Sequence, residues 1–453
     1  MDIAFLTLGC KVNAYETEKM KEKFEMEGHR IVSFEENADA YIVNTCTVTN
    51  IADRKSRKML HRARRKNPEG IVVAVGCYVD SAKKKGEKDE AVDVFLSNQE
   101  KENIVNIVIQ AVLQKKGLSK IQPEVGKRIK PERSPEAQAE EHTRAYLKVQ
   151  NGCNQYCTYC IIPYVRGPLT SKPVEEVCRE VEILAASGIK EVVLTGIHLS
   201  SYGVDRTDKK SFLELEGKPL LELIHRVAEV PGIERIRLGS LEPRIITDAF
   251  VKELSAIPKV CPHFHLSLQS GCDATLKRMN RHYSSEEYST GVEILRSYYT
   301  DPAITTDIIV GFPRETEEEF SETCAFAGKI CFAQIHVFKY SRRQGTMADA
   351  MDGQIEEGLK AERSDRLIEI EESLAKDYRE KFIGHTEQVL WEETTDIEGK
   401  SYLVGYTARY VRVGMEVTSL IKPEDYMNRI TAIRILGHLT KEILLGENTC
   451  NLA

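Results

Sequence analysis

The sequence predicts an α/β chain in three parts: an N-terminal doubly wound parallel sheet, a central partial (β/α) barrel and a small C-terminal antiparallel β-barrel. Three patterns carry that prediction. Short apolar runs alternate with helical stretches over residues 1–113, six further strand-and-helix units follow between 143 and 339, and the last part alternates apolar and polar residues. A chain of 453 residues exceeds what one hydrophobic core organises, and 42% hydrophobic against 29% charged residues is the balance of a folded protein rather than a disordered or fibrous one.

In the first part, 3–8 is an apolar run, 15–27 reads as a helix, and 40–43 and 71–75 are buried-strand candidates, each followed by a helical stretch. The connector from Gln114 to Arg133 holds seven Lys/Arg against two Glu, with Pro123 and Pro131 interrupting any helix. Domain boundaries follow at 1–113, a linker at 114–138, 139–375 and 376–446. The central strands are expected at 145–149, 191–194, 235–238, 264–268, 304–310 and 334–338. Helices are expected between them at 174–186, 220–230, 245–257, 285–299 and 315–330. Such units form a partial or complete parallel barrel with its site at the carboxyl ends of the strands. A charged helix at 355–380 then leads to short strands at 389–392, 402–406, 411–413, 416–421 and 429–435, which fit a small barrel.

The formal charge of −7 gives no global basic field, so any nucleic-acid binding must come from local patches. No apolar run approaches the roughly 18 to 20 residues that span a bilayer. The segment Met1–Phe5 lacks the basic and apolar regions of a secretory leader, so a cytoplasmic chain is expected. Twelve cysteines in a reducing compartment point to metal ligation, catalysis or plain burial rather than disulfides.

Only one tight cysteine cluster exists. Cys153, Cys157 and Cys160 form C-x3-C-x2-C directly after the first central strand, in the loop where such folds do their chemistry. Three thiolates from one loop hold three irons of a [4Fe–4S] cube and leave the fourth open to an exogenous ligand. The competing reading, a zinc knuckle, needs a fourth ligand, and His142 and His198 stand at no familiar finger spacing.

With Tyr159 before its third cysteine, this triplet resembles the radical S-adenosylmethionine superfamily. That resemblance implies an open iron binding S-adenosylmethionine, which on reduction yields methionine and a 5′-deoxyadenosyl radical. Leu194-Thr195-Gly196-Ile197-His198, Gly239-Ser240-Leu241-Glu242-Pro243 and Leu266-Ser267-Leu268-Gln269-Ser270-Gly271 are similar to its strand-end segments, as is 307–312. Cofactor contacts are therefore expected at Tyr159, Thr195, Gly196, Ser240, Glu242 and Gln269.

Three further cysteines, Cys10, Cys46 and Cys77, each lie just past a strand of the first part, so a parallel sheet would gather them at one edge. They read either as a second open-iron site or as buried thiols that happen to end strands. The segments Gly9 to Glu18, Asn44 to Val48 and Val75-Gly76-Cys77 resemble the signatures of the methylthiotransferases, and the similarity covers about residues 1 to 445. It implies two [4Fe–4S] clusters, S-adenosylmethionine as radical source and methyl donor, a C-terminal TRAM domain, and tRNA as partner. A reductant protein such as flavodoxin or ferredoxin is also implied, with the chain acting as a monomer. Gly-Cys-Lys-Val-Asn followed by Tyr-Glu-Thr-Glu is most similar to the branch acting on N6-threonylcarbamoyladenosine beside the anticodon. Isopentenyladenosine tRNA and a ribosomal-protein aspartate are the alternative targets, and a non-catalytic iron–sulfur or RNA-binding scaffold is the alternative of another class. Arg314 stands where relatives carry glycine, and 339–346 lacks prolines common there. Cys178, Cys261, Cys272, Cys324, Cys331 and Cys450 match no ligand position.

Between Ile51 and Lys66, eight Lys/Arg face one acid. Arg54, Lys55, Arg57 and Lys58 would hold an RNA backbone there, or the helix is simply a solvated face. From 382 to 445 seven Lys/Arg meet nine Asp/Glu, so RNA recognition by the last domain would rest on Trp391, Tyr402, Tyr406 and Tyr410, which could equally fill its barrel.

Overall fold

The structure, a computed structural model, describes residues 1–117, 143–206 and 216–448. Most of the connector expected at 114–138 lies outside the described residues, as does Cys450. The chain divides into two compact units. The first holds 1–117 with 152–168 and 341–349. The second holds 143–151, 169–206, 216–340 and 350–448.

The first unit runs β1 (Asp2–Thr7), α1 (Lys11–Met26), β2 (Arg30–Val32), β3 (Ala40–Thr45), α2 (Asn50–Lys66), β4 (Ile71–Gly76), α3 (Cys77–Lys85), β5 (Val94–Leu96) and α4 (Ile104–Lys115), with α5 (Ile162–Arg166) added from the later segment. All five strands are parallel in the order β2-β1-β3-β4-β5. β3 and β4 read AYIVNT and IVVAVG and are buried at every position, as two-sided packing demands. Their period-2 alternation sends Tyr41, Val43, Val72 and Ala74 to one face with Leu60 and Ala63 of α2. Ile42, Val73 and Val75 go to the other, with Phe24 of α1 and Val108 of α4. The edge strands β2 and β5 are three residues long, too short to show a periodicity.

The second unit opens on β6 (Arg144–Lys148) and the paired β7 (Gln150–Asn151) and β8 (Thr170–Ser171). It continues through α6 (Val174–Ala186), β9 (Glu191–Thr195), α7 (Lys218–Ala228), β10 (Arg235–Leu238), α8 (Asp248–Ser255) and β11 (His263–His265). Then follow α9 (Asp273–Arg278), α10 (Ser285–Tyr298), β12 (Ala303–Val310), α11 (Glu317–Ile330), β13 (Gln334–Lys339) and α12 (Glu357–Glu380). Two three-stranded parallel sheets, β10-β9-β6 and β11-β12-β13, are linked by the isolated parallel bridges Ile236–Val260 and Leu241–Leu266. β11 is shorter than the 264–268 expected, because the Thr306 hydroxyl takes the Leu268 N–H at 3.0 Å in place of a main-chain partner. Arg314 has a left-handed φ of +64°, which explains why glycine suits that position. Here it is held by its N–H to the Gly353 carbonyl at 2.8 Å and by an ion pair to Asp352.

The C-terminal part closes a five-stranded barrel, β14 (Thr386–Ile397), β15 (Lys400–Thr407), β16 (Arg412–Glu416), β18 (Ile443–Asn448) and β17 (Ile430–His438), in that spatial order. A one-turn helix, α13 (Pro423–Tyr426), precedes β17. Four pairings are antiparallel, but β16 and β18 run parallel. Of the strand expected at 416–421 only Glu416 is in a strand, the last residue of β16, and 418–421 is a turn bridged between Thr418 and Ile421. There the Thr418 hydroxyl accepts the Leu420 N–H and Leu420 is 84% exposed, so no sheet face claims it. Trp391 and Tyr402 are buried, with Trp391 in the barrel core. Tyr406 and Tyr410 stack at 4.7 Å against the guanidinium of Arg144, and Arg237 lies 4.7 Å from the Tyr410 ring. Of the two uses open to these four aromatics, Trp391 and Tyr402 pack inside the barrel, while Tyr406 and Tyr410 are partly buried against arginines.

Candidate metal centres and strand-end site

Three carboxyl ends of the first unit's sheet carry cysteine, and parallel strands put those ends on one edge. Cys10 follows β1, Cys46 follows β3 and Cys77 starts α3. Gly9 makes the approach close: its φ is +104°, and a Cβ there would lie 2.8 Å from Cys46 Cβ and 3.0 Å from its Sγ. Cys46 and Cys77 are buried and Cys10 is exposed. Burial pushes the Cys46 thiol up to about 11; Cys77 and Cys10 push the same way, while Arg166 opposes them. Cys10, Cys46 and Cys77 therefore sense one another's charge. Among the described residues their three sulfurs do not all fall within 4.8 Å of one another. A single tetrahedral zinc with Zn–S near 2.3 Å would draw thiolates to about 3.8 Å apart. At least one pair of the triad's sulfurs stands wider than that.

A buried polar frame backs this edge. Asn13 donates to the carbonyls of Leu8 at 2.7 Å and Thr45 at 3.0 Å, tying the Cys10 loop to the Cys46 loop. Asn44 returns a bond to the Asn13 carbonyl at 2.9 Å. Arg166 of α5 donates to Glu16 at 2.9 Å and to Asn13 Oδ1 at 2.7 Å, and Lys101 pairs with the same Glu16. Arg166 is the cation here that favours a thiolate at Cys46, against the burial that raises its pKa. Asn98 Nδ2 stands 3.7 Å from Cys77 Sγ and is fixed by Asp80 at 2.7 Å. On the far side, Arg343 donates to Asp53 at 2.8 Å and to Thr47 at 2.5 Å. Residues 341 and 342 bind Asn50 at the start of α2.

The other triad, Cys153, Cys157 and Cys160, sits in the same unit on an irregular loop. All three are partly exposed. Gly152 opens the loop with φ +68°, and a Cβ there would meet the Pro168 carbonyl oxygen at 2.0 Å. Cys153 N–H donates to the Gly167 carbonyl at 3.3 Å and Cys160 N–H to the Cys157 carbonyl at 3.0 Å. Tyr159 lies half-buried within this turn.

The remaining expected contacts lie at strand ends of the second unit. Thr195 ends β9 and is buried; a Cβ on Gly196 would meet Gln150 Oε1 at 2.7 Å, the atom that accepts the His198 N–H. Burial pushes His198 down to about 4. Ser240 is exposed, whereas Glu242 is buried and holds Arg244 through two bonds of 2.6 Å. Gln269 is buried with φ +73°, bonded to the main chain of Asp307 and Ile309.

On α2, Arg54, Lys55, Arg57 and Lys58 are exposed, and none makes an ion pair among the described residues. Arg62 and Lys66, by contrast, share Glu35, and Arg64 pairs with Asp93. Cys178, Cys261 and Cys272 are buried, Cys324 is partly exposed and Cys331 is exposed. Sequence reading missed Glu16, Lys101, Arg166 and Arg343. Glu16 lay inside the Cys10 signature and Arg166 ends the loop after Cys160, so both carried a positional hint; a buried lysine at 101 carried none.

Comparison with known proteins agrees in extent. The Radical SAM superfamily profile matches residues 147–327 and that of the uncharacterized protein family UPF0004 matches 2–97. The threonylcarbamoyladenosine tRNA methylthiotransferase MtaB of Bacillus subtilis is 39% identical over 96% of this chain and 93% of its own length. Its Aquifex aeolicus namesake is 37% identical, covering 93% and 100%. A tRNA-2-methylthio-N(6)-dimethylallyladenosine synthase from Caldicellulosiruptor saccharolyticus is 34% identical over 98% and 91%. Among solved structures, a radical S-adenosylmethionine methyltransferase from Kitasatospora setae superposes with a TM-score of 0.51 at 14% identity, over 77% of this chain and 76% of that one. This last likeness bears on the fold alone.

Proposed function

The chain belongs to the radical S-adenosylmethionine tRNA methylthiotransferases, and within that family we propose that it converts N6-threonylcarbamoyladenosine beside the anticodon to its 2-methylthio derivative. The family is enzymatic, and membership implies S-adenosylmethionine and a [4Fe–4S] cluster. The observation that carries the fuller reading is that one compact unit holds two separate thiol triads, one on a loop and one across three strand ends. Cys153, Cys157 and Cys160 would hold the cluster that meets S-adenosylmethionine. Cys10, Cys46 and Cys77 would hold a second cluster, a reading supported by their place at three ends of one parallel sheet and by the Arg166 guanidinium that favours a thiolate at Cys46. When bound, these groups supply reductive cleavage of S-adenosylmethionine, sulfur, and a methyl group from a second S-adenosylmethionine.

The chain's own residues hold and orient. Gly152 and Gly9 admit the close backbone approaches that shape the two ligand loops. Arg166 and Asn13 fix the Cys10 and Cys46 loops; Thr195, Gly196, Ser240, Glu242 and Gln269 would each offer a cofactor contact at a strand end of the second unit, and Tyr159 one from the loop of the first. Arg54, Lys55, Arg57 and Lys58 would take the tRNA backbone, a reading supported by their exposure and by the absence of ion pairs to them among the described residues, where Arg62, Arg64 and Lys66 are paired. We assign 1–113 to the methylthiotransferase domain, 114–138 to a linker, 139–375 to the radical domain with its six strands as a partial barrel, and 376–446 to a TRAM domain. A flavodoxin- or ferredoxin-type reductant and a monomeric chain complete the reading. Among the described residues no helix is long and apolar enough to cross a membrane.

The substrate choice is supported by relatives named for threonylcarbamoyladenosine at 39% and 37% identity, above the 34% of one named for dimethylallyladenosine, although a Chlamydia pneumoniae relative with the first name stands at 32%. Nucleoside mass spectrometry of tRNA from cells with and without the gene tests it. Loss of 2-methylthio-threonylcarbamoyladenosine with build-up of its unthiolated precursor is expected. Loss of a methylthio-isopentenyl nucleoside instead would place the enzyme in the other branch.

A further inference from the structure

His265, Asp307 and His336 stand on three adjacent parallel strands, β11, β12 and β13. In register, His265 pairs with Thr305 and Asp307 with His336. Alternation places them on one face of that sheet. The opposite face is the covered one: Phe264 packs on Tyr299, Ile308 is fully buried, and the Thr306 hydroxyl bonds the Leu266 carbonyl. On the polar face His265 Nδ1 lies 3.0 Å from Thr305 Oγ1, and its Nε2 lies 3.4 Å from Asp307 Oδ2. The rings of His265 and His336 are 6.0 Å apart at 30°, and the three groups offer atoms that all fall within 4.8 Å of one another. One step toward the strands' amino ends, the same face is stoppered: His263 packs on Tyr410 at 5.1 Å, beside the stacked Tyr406. The trio is therefore backed on one side and open on the other, where His336 is exposed.

No contact expected for S-adenosylmethionine uses these side chains. We propose that His265, Asp307 and His336 form the subsite that reads the threonylcarbamoyl group of the substrate, an inference that rests on the substrate assigned above. That group carries a carboxylate, a hydroxyl and ureido N–H donors. His336 supplies an N–H donor for the carboxylate, His265 holds Asp307 in place through Nε2, and the Asp307 carboxylate accepts from the hydroxyl or a ureido N–H. An isopentenyl group offers none of these and would strip water from all three side chains without replacing a hydrogen bond. Sites built on such bonds reject an analogue lacking them far more strongly than apolar pockets separate homologues, by about 10⁴-fold in favourable cases. The trio is then a specificity device, separating two adenosines that differ only in their N6 substituent.

The test uses the reconstituted full-length enzyme and one tRNA prepared in threonylcarbamoyl, isopentenyl and unmodified forms. Methylthiolation is measured as kcat and KM separately, each rate divided by that variant's own tRNA-independent cleavage of adenosylmethionine. For His336→Phe the expected result is a loss of about 100-fold in the preference for threonylcarbamoyl over isopentenyl tRNA. Asp307→Asn should lose less, and His336→Gln, which keeps an N–H donor, should recover most of the preference. An unchanged preference in both His336→Phe and Asp307→Asn overturns the inference and leaves the proposed function standing. So does an equal loss on all three tRNAs, which would mark a structural role. Stoichiometric zinc in the wild-type protein that is lost in His336→Phe also overturns it, since the trio would then be a metal site. A wild-type enzyme inactive on threonylcarbamoyl tRNA but active on the isopentenyl form overturns both readings at once, before any variant is made.

Discussion

The two cysteine triads solve one chemical problem in opposite ways. Cys153, Cys157 and Cys160 are close in sequence, and a single loop sets their geometry through Gly152 and a few main-chain bonds, leaving all three partly exposed. Cys10, Cys46 and Cys77 are far apart in sequence and meet only because β1, β3 and β4 are parallel neighbours. Their geometry is a tertiary property, held by buried side chains that include Arg166 from beyond the loop triad itself. A local site depends on its loop, whereas a dispersed site depends on the whole sheet and on every buried polar group behind it.

The largest expected effects separate the two triads outright. Cys157→Ala should abolish adenosylmethionine cleavage, measured as 5′-deoxyadenosine release, and with it all thiolation. Cys46→Ala should retain cleavage while methylthiolated product falls below detection; loss of cleavage in that variant would break the division of labour. Next comes the link between them. Arg166→Met leaves the buried Glu16 with Lys101 as its remaining partner and should lower unfolding stability by about 3 kcal/mol, by the usual cost of breaking a buried ion pair. Denaturant titration reads that cost, and iron content should fall mainly at the dispersed triad, with Arg166→Lys restoring part of both.

A smaller effect concerns thiol chemistry in the metal-free protein. Because burial raises the Cys46 pKa to about 11, its thiolate is scarce at neutral pH and grows only as pH rises toward that value. Pulsed alkylation at pH 7.5, read by peptide mass spectrometry, should label exposed Cys10 and the partly exposed loop cysteines well before Cys46, with the gap narrowing above pH 10. Equal rates at pH 7.5 would mean that the edge is open without metal. Smallest is the α2 effect. Replacing Arg54 and Lys58 by Gln should weaken tRNA binding several-fold and reduce its salt dependence, since each lost phosphate contact lowers the slope of log affinity against log salt by about 0.9 for a duplex. Gln at paired Arg62 should change binding less.

What could be read in the sequence followed the same divide. C-x3-C-x2-C is a local spacing, so the loop triad needed no fold to be noticed. The dispersed triad was readable because β3 and β4 are continuous apolar runs whose ends are easy to place, and each end carries a cysteine. Lys101 and Arg343 were not legible and Arg166 had only its place after the loop triad, since a buried cation looks like a surface one until its carboxylate partner is brought to it by folding. The edge strands β2 and β5 and the last strand β18 were missed for want of length or of β-branched residues. The segment 416–421 misled because Val417, Leu420 and Ile421 give it a strand-like apolar content, yet Leu420 is exposed. Trp391, Tyr402, Tyr406 and Tyr410 have a composition that serves RNA stacking or a packed interior equally, and only the structure shows them turned to Thr431, the barrel core and the arginines Arg144 and Arg237.

Both triads are expected to bind iron independently. Iron and sulfide analysis with Mössbauer spectroscopy on anaerobically reconstituted protein tests it most directly, comparing wild type with a Cys10/Cys46/Cys77→Ala variant and a Cys153/Cys157/Cys160→Ala variant. The prediction is about eight irons per chain in the wild type and about four in each triple variant, all as [4Fe–4S]. About four irons in the wild type, undiminished when Cys10, Cys46 and Cys77 are removed, would show that the strand-end triad is only a set of packed thiols.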